Sequence, residues 1–387
     1  MKYVKCIDLI DVRDGTHDSP KYINNGGYPL ITSKNIKNNT IDFENVNYIS
    51  EEDYIKINKR SGVSNGDVIM PMIGTVGNPV IINTNKDFAI KNVALFKLSN
   101  NDNVNSKFFY YCLKSDRVIN QLSKNKRGGT QRFVSLSNLR NLEIPYINID
   151  KQLKIVEVLD KATELIEKRT EQIQELDNLI KSKFIELFAD PIKNPKNFSV
   201  KRLSDIAEYF IGLTYKPEDV CENGTLVLRS GNIQNSKLVF DDNVRVNKAV
   251  KDKFFVKEND ILMCSRNGSE KLVGKVAMIP KLNEEVTFGA FMTVIRSTNY
   301  YYLFTYFQLE SFRQQLKSAK TTTINQITKK MLDDIKIPVP PMELQNEFAE
   351  YVKQIEKLKS DMQLSLIELE NNYNSLMQRA FKGELFI

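Results

Sequence analysis

The chain has no tryptophan and a single histidine, His17, in 387 residues. Its four cysteines, Cys6, Cys112, Cys221 and Cys264, stand far apart and form no CxxC pair. That leaves too few ligands for a zinc site, and the thiols read as buried or incidental groups of a reducing cytoplasm. No run approaches the ~20 apolar residues of a membrane span, and the N-terminus lacks a signal-peptide core, so a cytoplasmic protein without a membrane partner is expected. There is no GxxxxGK[ST] loop and no GxGxxG after a strand, which argues against nucleotide hydrolysis and dinucleotide binding. His17 sits in the loop-like Asp14-Gly15-Thr16-His17-Asp18-Ser19-Pro20 and reads as a loop residue without chemistry. A Ser-His-Asp triad has no basis here. Glu51-Glu52 and Asp241-Asp242 read as solvated faces. The expectation is a binding protein with no catalytic residue, no metal and no cofactor of its own.

What the chain does have is a copy of itself. Gly129 to Pro145 (GTQRFVSLSNLRNLEIP) lines up with Thr322 to Pro338 (TTINQITKKMLDDIKIP), 193 positions on. The same shift carries Asp67-Val68-Ile69-Met70 to Asp260-Ile261-Leu262-Met263, Gln152 to Gln345 and Phe188 to Phe381. Near the start of each half the shift drifts to 197, matching Ser33, Asn35 and Ile36 with Ser230, Asn232 and Ile233. A period of half the chain fixes the architecture before any local detail, and two similar, non-identical halves suit a target with two such halves.

Each half opens with a turn-rich stretch of short apolar runs such as Val68-Ile69-Met70, Val80-Ile81-Ile82 and Val93-Ala94-Leu95-Phe96, bounded by Gly, Asn and Pro. These read as strands, followed by a helix near Lys107 to Leu122. Between and after the two stretches lie heptad patterns. Leu159, Ile166, Ile173, Ile180 and Leu187 recur every seven residues, with Ile155, Ala162 and Leu176 as a second track broken by Arg169 and Lys183. Phe348, Ile355, Met362, Leu369 and Leu376 do the same later, with Val352, Leu366, Tyr373 and Ala380 broken by Lys359. Spacing of 3 and 4 puts one apolar seam on each helix, the pattern of coiled-coil packing. Pro145 and Pro338 precede the helices and Asp190-Pro191 ends the first. The predicted fold is α+β: two tandem α+β globules separated by two long antiparallel coiled-coil helices, with a pseudo-two-fold internal repeat. The boundaries are 1–148 for the first globule, 149–190 for the first helix, 191–341 for the second globule, and 342–387 for the second helix and tail.

Charge locates the candidate site. The net charge is +7, modest support for a polyanionic partner. From Arg117 to Leu142 there are six basic residues (Arg117, Lys124, Lys126, Arg127, Arg132, Arg140) and no acid; Ser311 to Leu332 holds five (Arg313, Lys317, Lys320, Lys329, Lys330) and again no acid. Each tract surrounds small donors, Gly128-Gly129-Thr130-Gln131 in one half and Thr321-Thr322-Thr323 followed by Asn325-Gln326 in the other. Cations neutralise phosphates, while Arg, Asn and Gln can pair with base edges. Two further equivalent sites are Thr32-Ser33-Lys34-Asn35 against Arg229-Ser230-Gly231-Asn232, and the loop Met72 to Asn78 against Cys264 to Ser269, which carries Arg266 and Asn267. The candidate DNA-binding set is therefore Lys34, Asn35, Lys124, Lys126, Arg127, Gly129, Thr130, Gln131, Arg132, Arg229, Asn232, Arg266, Asn267, Lys320, Thr322 and Asn325. Identity of Ser33/Ser230 and Asn35/Asn232 between the halves suggests a turn or cap; Lys34, Arg132, Arg266 and Asn325 are the positions for base readout.

Assembled, these residues resemble the specificity subunit of type I restriction-modification systems. The resemblance covers essentially the whole chain. It rests on Val200-Lys201-Arg202-Leu203-Ser204-Asp205-Ile206, the Ser-x-Asn-Ile turns, Ile-Pro before each long helix, Ile337-Pro338-Val339-Pro340-Pro341-Met342-Glu343-Leu344-Gln345, and the ending Leu376-Met377-Gln378-Arg379-Ala380-Phe381-Lys382-Gly383-Glu384-Leu385. Ile147-Asn148-Ile149-Asp150-Lys151-Gln152 departs from it in lacking Pro-Pro before the Gln. The resemblance implies a non-catalytic subunit whose two target-recognition domains read a split double-stranded DNA site. It implies two methyltransferase subunits as partners, which use S-adenosylmethionine to modify adenine, and restriction subunits as optional further partners. A free-standing sequence-specific DNA-binding regulator is the alternative; a self-contained DNA-modifying enzyme lacks its cofactor loops.

Overall fold

The structure is a computed structural model that describes residues 1–24, 26–37, 39–74, 76–124, 133–318 and 325–385. The chain forms two compact units, Met1–Thr170 with Leu364–Ile387, and Glu171–Gln363. Each takes a globule and part of both long helices.

In the first unit a four-stranded antiparallel sheet runs in the order Asp11–Asp14, Val93–Lys97, Val68–Pro71, Val80–Ile81. Val93 to Phe96 is a continuous apolar run because this strand has a neighbour on each side and is buried on both faces. A second sheet of three strands places Tyr28–Ile31 between Asn47–Ile49 and, in parallel, Ala89–Ile90. Lys2–Lys5 pairs antiparallel with Glu143–Tyr146, so the first and last strands of the globule lie side by side. The second unit repeats the plan. Glu208–Ile211, Met292–Arg296, Ile261–Cys264 and Val276–Met278 make the antiparallel sheet, Thr225–Leu228 runs parallel to Val286–Phe288, and Ser199–Arg202 pairs with Lys336–Val339.

The turn into each Val68- or Ile261-type strand is held by a buried aspartate. Asp67 accepts from the backbone N–H groups of Ser64, Leu98 and Ser99 at 2.9–3.0 Å and from Lys97 Nζ at 2.5 Å. Asp260 accepts from the Lys257 N–H at 2.7 Å and from two guanidinium nitrogens of Arg296 at 2.8 and 2.6 Å. One carboxylate thereby satisfies donors that burial would otherwise leave unpaired.

The long helices span Ile149–Phe188 and Met342–Lys382. In the first unit Ile155, Val156 and Leu159 share a core with Met377, Ala380 and Phe381. In the second, Ile180, Phe184, Leu187 and Phe188 share one with Phe348 and Val352. Buried Gln152 ties the first helix to its globule, accepting from the Asn105 N–H at 2.9 Å and donating to the carbonyls of Asn103 and Ile147; Gln345 donates to the Pro340 carbonyl at 2.7 Å. The heptad tracks omit Phe184, yet its ring is fully buried, 4.9 Å from Phe188, 5.1 Å from Tyr302 and 5.5 Å from Phe348. There the helix packs on a globule as well as on its partner helix, so its apolar stripe is wider than a coiled-coil seam. The single helix expected near Lys107 to Leu122 is two, Ser106–Leu113 and Asp116–Lys124. Ser115, buried between them, donates its hydroxyl to the Cys112 carbonyl at 2.6 Å, a local bond that competes with helix continuation.

Lys359, the break in the second track, is 5% exposed and ion-paired with Asp177 of the first long helix. Part-buried Lys237 is held below the ordinary lysine range by burial and by the Lys359 charge. Burying an ammonium costs several kcal/mol that its partner only offsets. Lys359→Met is therefore expected to be neutral or stabilising by about 1–2 kcal/mol, since Asp177 is half exposed and stays hydrated. A urea-unfolding midpoint showing a loss above about 1 kcal/mol would refute this. No helix among the described residues is long and apolar enough to cross a membrane.

Candidate nucleic-acid interface

At one end of the antiparallel sheet of the second globule three loops are stitched together. The N–H of Ile327 donates to the Ser265 carbonyl at 2.7 Å, that of Asn267 to the Asn325 carbonyl at 3.3 Å, and that of Arg266 to the Phe291 carbonyl at 3.0 Å. Arg266 stands opposite Gln326 in an antiparallel bridge. Two asparagines lock the loops: Asn267 Nδ2 donates to Ser230 Oγ at 3.1 Å, and Asn325 Nδ2 to the Gly268 carbonyl at 3.3 Å. Lys275 Nζ donates to the carbonyls of Ser230 and Ile233 at 2.5 and 2.8 Å, fixing the neighbouring turn; burial lowers its pKa from the ordinary lysine value. The Arg266 guanidinium lies 5.2 Å from the ring of Phe291, which is 57% exposed.

The first globule builds the same end with other side chains. Ile73 bridges Phe133, each 193 positions before Arg266 and Gln326, and the Val134 N–H donates to the Met72 carbonyl at 2.9 Å. His17 bonds through Nδ1 to Asn92 Oδ1 at 2.8 Å and through Nε2 to buried Asp14 at 2.9 Å. With an oxygen at each ring nitrogen its pKa is raised, first by Asn92 and then by Asp14. His17 is thus tied into the loop cluster, which its loop-like sequence did not disclose.

The candidate residues fall in several different settings. Arg266, Asn267 and Asn325 come together, while Lys34 is exposed on its turn and Lys124 is exposed at the end of its helix. Arg229 is paired with Asp242 at 2.7 Å. Lys126, Arg127, Gly129, Thr130, Gln131, Arg132, Lys320 and Thr322 lie outside the described residues. Asn35 and Asn232 need correction. They are 5% and 1% exposed. Asn35 Oδ1 accepts from Thr32 N and Oγ1, and Nδ2 donates to the Asn45 carbonyl; Asn232 accepts from the Arg229 N–H and donates to the Val239 carbonyl. Their amides close the turn from inside, the turn or cap role that their identity in both halves suggested. Two cations of the first basic tract are likewise structural: Arg140 donates to the Val12 carbonyl at 3.1 and 2.9 Å, and Arg117 pairs with Glu143 at 2.6 Å over the Tyr3 ring. Sequence reasoning missed Phe291 and Phe133, and named Gln326 in its donor loop without selecting it. The available signal was the 193-residue shift itself, which maps Gln326 and Arg266 onto two apolar residues. Among the described residues no cluster of His, Cys, Asp or Glu is placed to hold a metal.

The chain matches the family model for the type I restriction modification DNA specificity domain twice, over residues 1–178 and 195–370. It is similar to the putative type I restriction enzyme MjaX specificity subunit of Methanocaldococcus jannaschii, with 24% identity over 389 residues covering 93% of this chain and 87% of the relative. It is also similar to the type I restriction enzyme EcoKI specificity subunit of Escherichia coli K12, with 31% identity over 167 residues, 41% of this chain and 36% of the relative. Two solved structures share the fold. One is the type I restriction-modification system S subunit from M. genitalium, with TM-score 0.50, 18% identity and coverage of 98% of this chain and 96% of that one. The other is a chain from work on complex assembly and conformational transition of the type I R-M system, with TM-score 0.61, 17% identity and coverage of 99% and 98%.

Proposed function

The chain belongs to the type I restriction-modification DNA specificity family and is the DNA-recognition subunit of such a system, and from that premise we propose that its globules read the two parts of a bipartite double-stranded site while it docks two methyltransferase subunits. The chain itself is non-catalytic and cytoplasmic and holds no cofactor. Adenine methylation, with S-adenosylmethionine, belongs to the methyltransferase partners, and restriction subunits join the same assembly. The observation that carries the bipartite reading is the duplicated loop cluster: one backbone ladder presents Arg266 and Gln326 in one globule and Ile73 and Phe133 in the other. A shared scaffold with unlike tips suits two unlike half-sites. Tagged at its natural level in its host, the chain is expected to elute with methyltransferase subunits. Elution alone, with tight monomeric binding to DNA, would favour a free-standing regulator instead.

The basic tracts make binding salt-dependent through counterion release. Changing Lys124, Lys126 and Arg127 together to Ala is expected to weaken binding to every duplex alike and to flatten the slope of log K against log salt by about one unit per lost contact. A changed sequence preference with an unchanged slope would make this loop a base reader.

A further inference from the structure

We propose that the second globule reads its half-site with the side-by-side tips Arg266 and Gln326, Arg266 taking a guanine and Gln326 an adjacent adenine from the major groove. This deepens the DNA-recognition reading and rests on it. Residues 265–267 and 325–327 form a short antiparallel ribbon whose hydrogen bonds flank the Arg266–Gln326 pair and leave none within it. Such a pair is of the closely spaced kind, with Cα atoms ~4.5 Å apart, and its side chains leave on one face. Alternation says which face. Ser265 and Ile327 are buried, and the Ser265 hydroxyl is bonded to Thr293 at 2.6 Å; Arg266, between them in the ladder, is exposed.

Neither tip is spent inside the protein. Among the described residues no carboxylate pairs with Arg266, and no hydrogen bond takes the Gln326 side-chain amide. The guanidinium instead rests against the exposed Phe291 ring, and the Arg266 N–H is bonded to that residue's carbonyl. A stacked arginine keeps all five donors and loses less freedom on binding than a free one. Its fork matches the O6 and N7 acceptors of guanine, as a glutamine amide matches N6 and N7 of adenine, and a two-stranded ribbon fits the width of the major groove. Asn267, Asn325 and Lys275 act as positioning residues, holding the ribbon against the Ser230 turn. The first globule, with Ile73 and Phe133 on the same ladder, has neither donor there.

The test uses the full chain in the assembly isolated from its host and selects from a randomised duplex library. The unmodified assembly is expected to enrich a bipartite site. Arg266→Ala should lower discrimination at one guanine by about tenfold to a hundredfold, Gln326→Ala should relax the neighbouring adenine, and the other half-site should stay as selected, which also reports correct folding. Unchanged base ratios in both variants, or uniform weakening with a flatter salt slope, would overturn the inference and leave the bipartite reading intact. Failure of the unmodified assembly to enrich any two-part sequence would overturn the reading beneath it.

Discussion

Replacing Asp67 with alanine is expected to destabilise the first globule by about 3–5 kcal/mol, the range for removing one partner of a buried charge pair. Three backbone N–H groups and the Lys97 ammonium converge on this one carboxylate; alanine leaves the three N–H groups without this acceptor and the ammonium without its counter-ion, with only the Gly62 carbonyl and the Ser64 hydroxyl to bond. Water reaches the site poorly, because Asp67 is fully buried. For a unit of this size the midpoint of thermal unfolding should fall by roughly 2–4 °C per kcal/mol. Asp260→Ala should do the same to the second globule by stranding Arg296, and there the double change Asp260→Ala with Arg296→Met should recover part of the loss, because it removes the orphaned charge. Calorimetry resolving a drop below about 1 kcal/mol for Asp67→Ala would show that the turn is held by other means.

Exchanging residues 1–145 for the corresponding region of a relative is expected to rewrite one half of the recognised site and leave the other untouched. Nearly all of the strand pair that closes the globule, Lys2–Lys5 against Glu143–Tyr146, travels with the exchanged piece. The sheets, the Asp67 turn and the Ile73–Phe133 ladder travel with it too. What stays behind is the helix surface under the globule, chiefly Ile155, Leu159, Met377 and Phe381, so a donor with similar apolar residues around Phe108 is the one to use. At about 1–3 kcal/mol per base pair, a few changed contacts suffice to abolish binding to the old half-site. Methylome sequencing reads the outcome directly, and an alteration of both halves would sink the idea that each globule reads alone.

The parts of this fold that sequence disclosed are those governed by local rules or by repetition. Apolar runs between turn residues became strands, heptads became long helices, and Asp67 and Asp260 were found by the shift before their role was known. The misses share a cause. Ser115 breaks a helix by one side-chain bond that no periodicity records. Phe184 lies outside the heptad tracks because a globule covers it as well as the second helix. Arg266 and Gln326 are neighbours only across a ladder joining distant loops, so one of the pair was selected and the other passed over. Asn35 and Asn232 show the reverse error: their identity in both halves marked a shared turn, and the amides serve it from inside.

The buried pair Asp177–Lys359 has a consequence for which helix a helix chooses. A duplicated chain carries two seams of common ancestry, and either could pair with its own twin from a second molecule. The 193-residue repeat puts Ile166 where Lys359 stands. In a pairing of two first helices, Asp177 would therefore face Ile166 and lose its counter-ion, and in a pairing of two second helices Lys359 would meet Glu370 in place of Asp177. The charge therefore tells the mixed pairing from a pair of first helices, where Asp177 is left alone, and not from a pair of second helices, where Glu370 would face Lys359. A charge that adds little to stability thus serves as a mark of identity, as single buried polar groups do in other helix pairs. Lys359→Met would give a firmer helix pair and a less discriminating one.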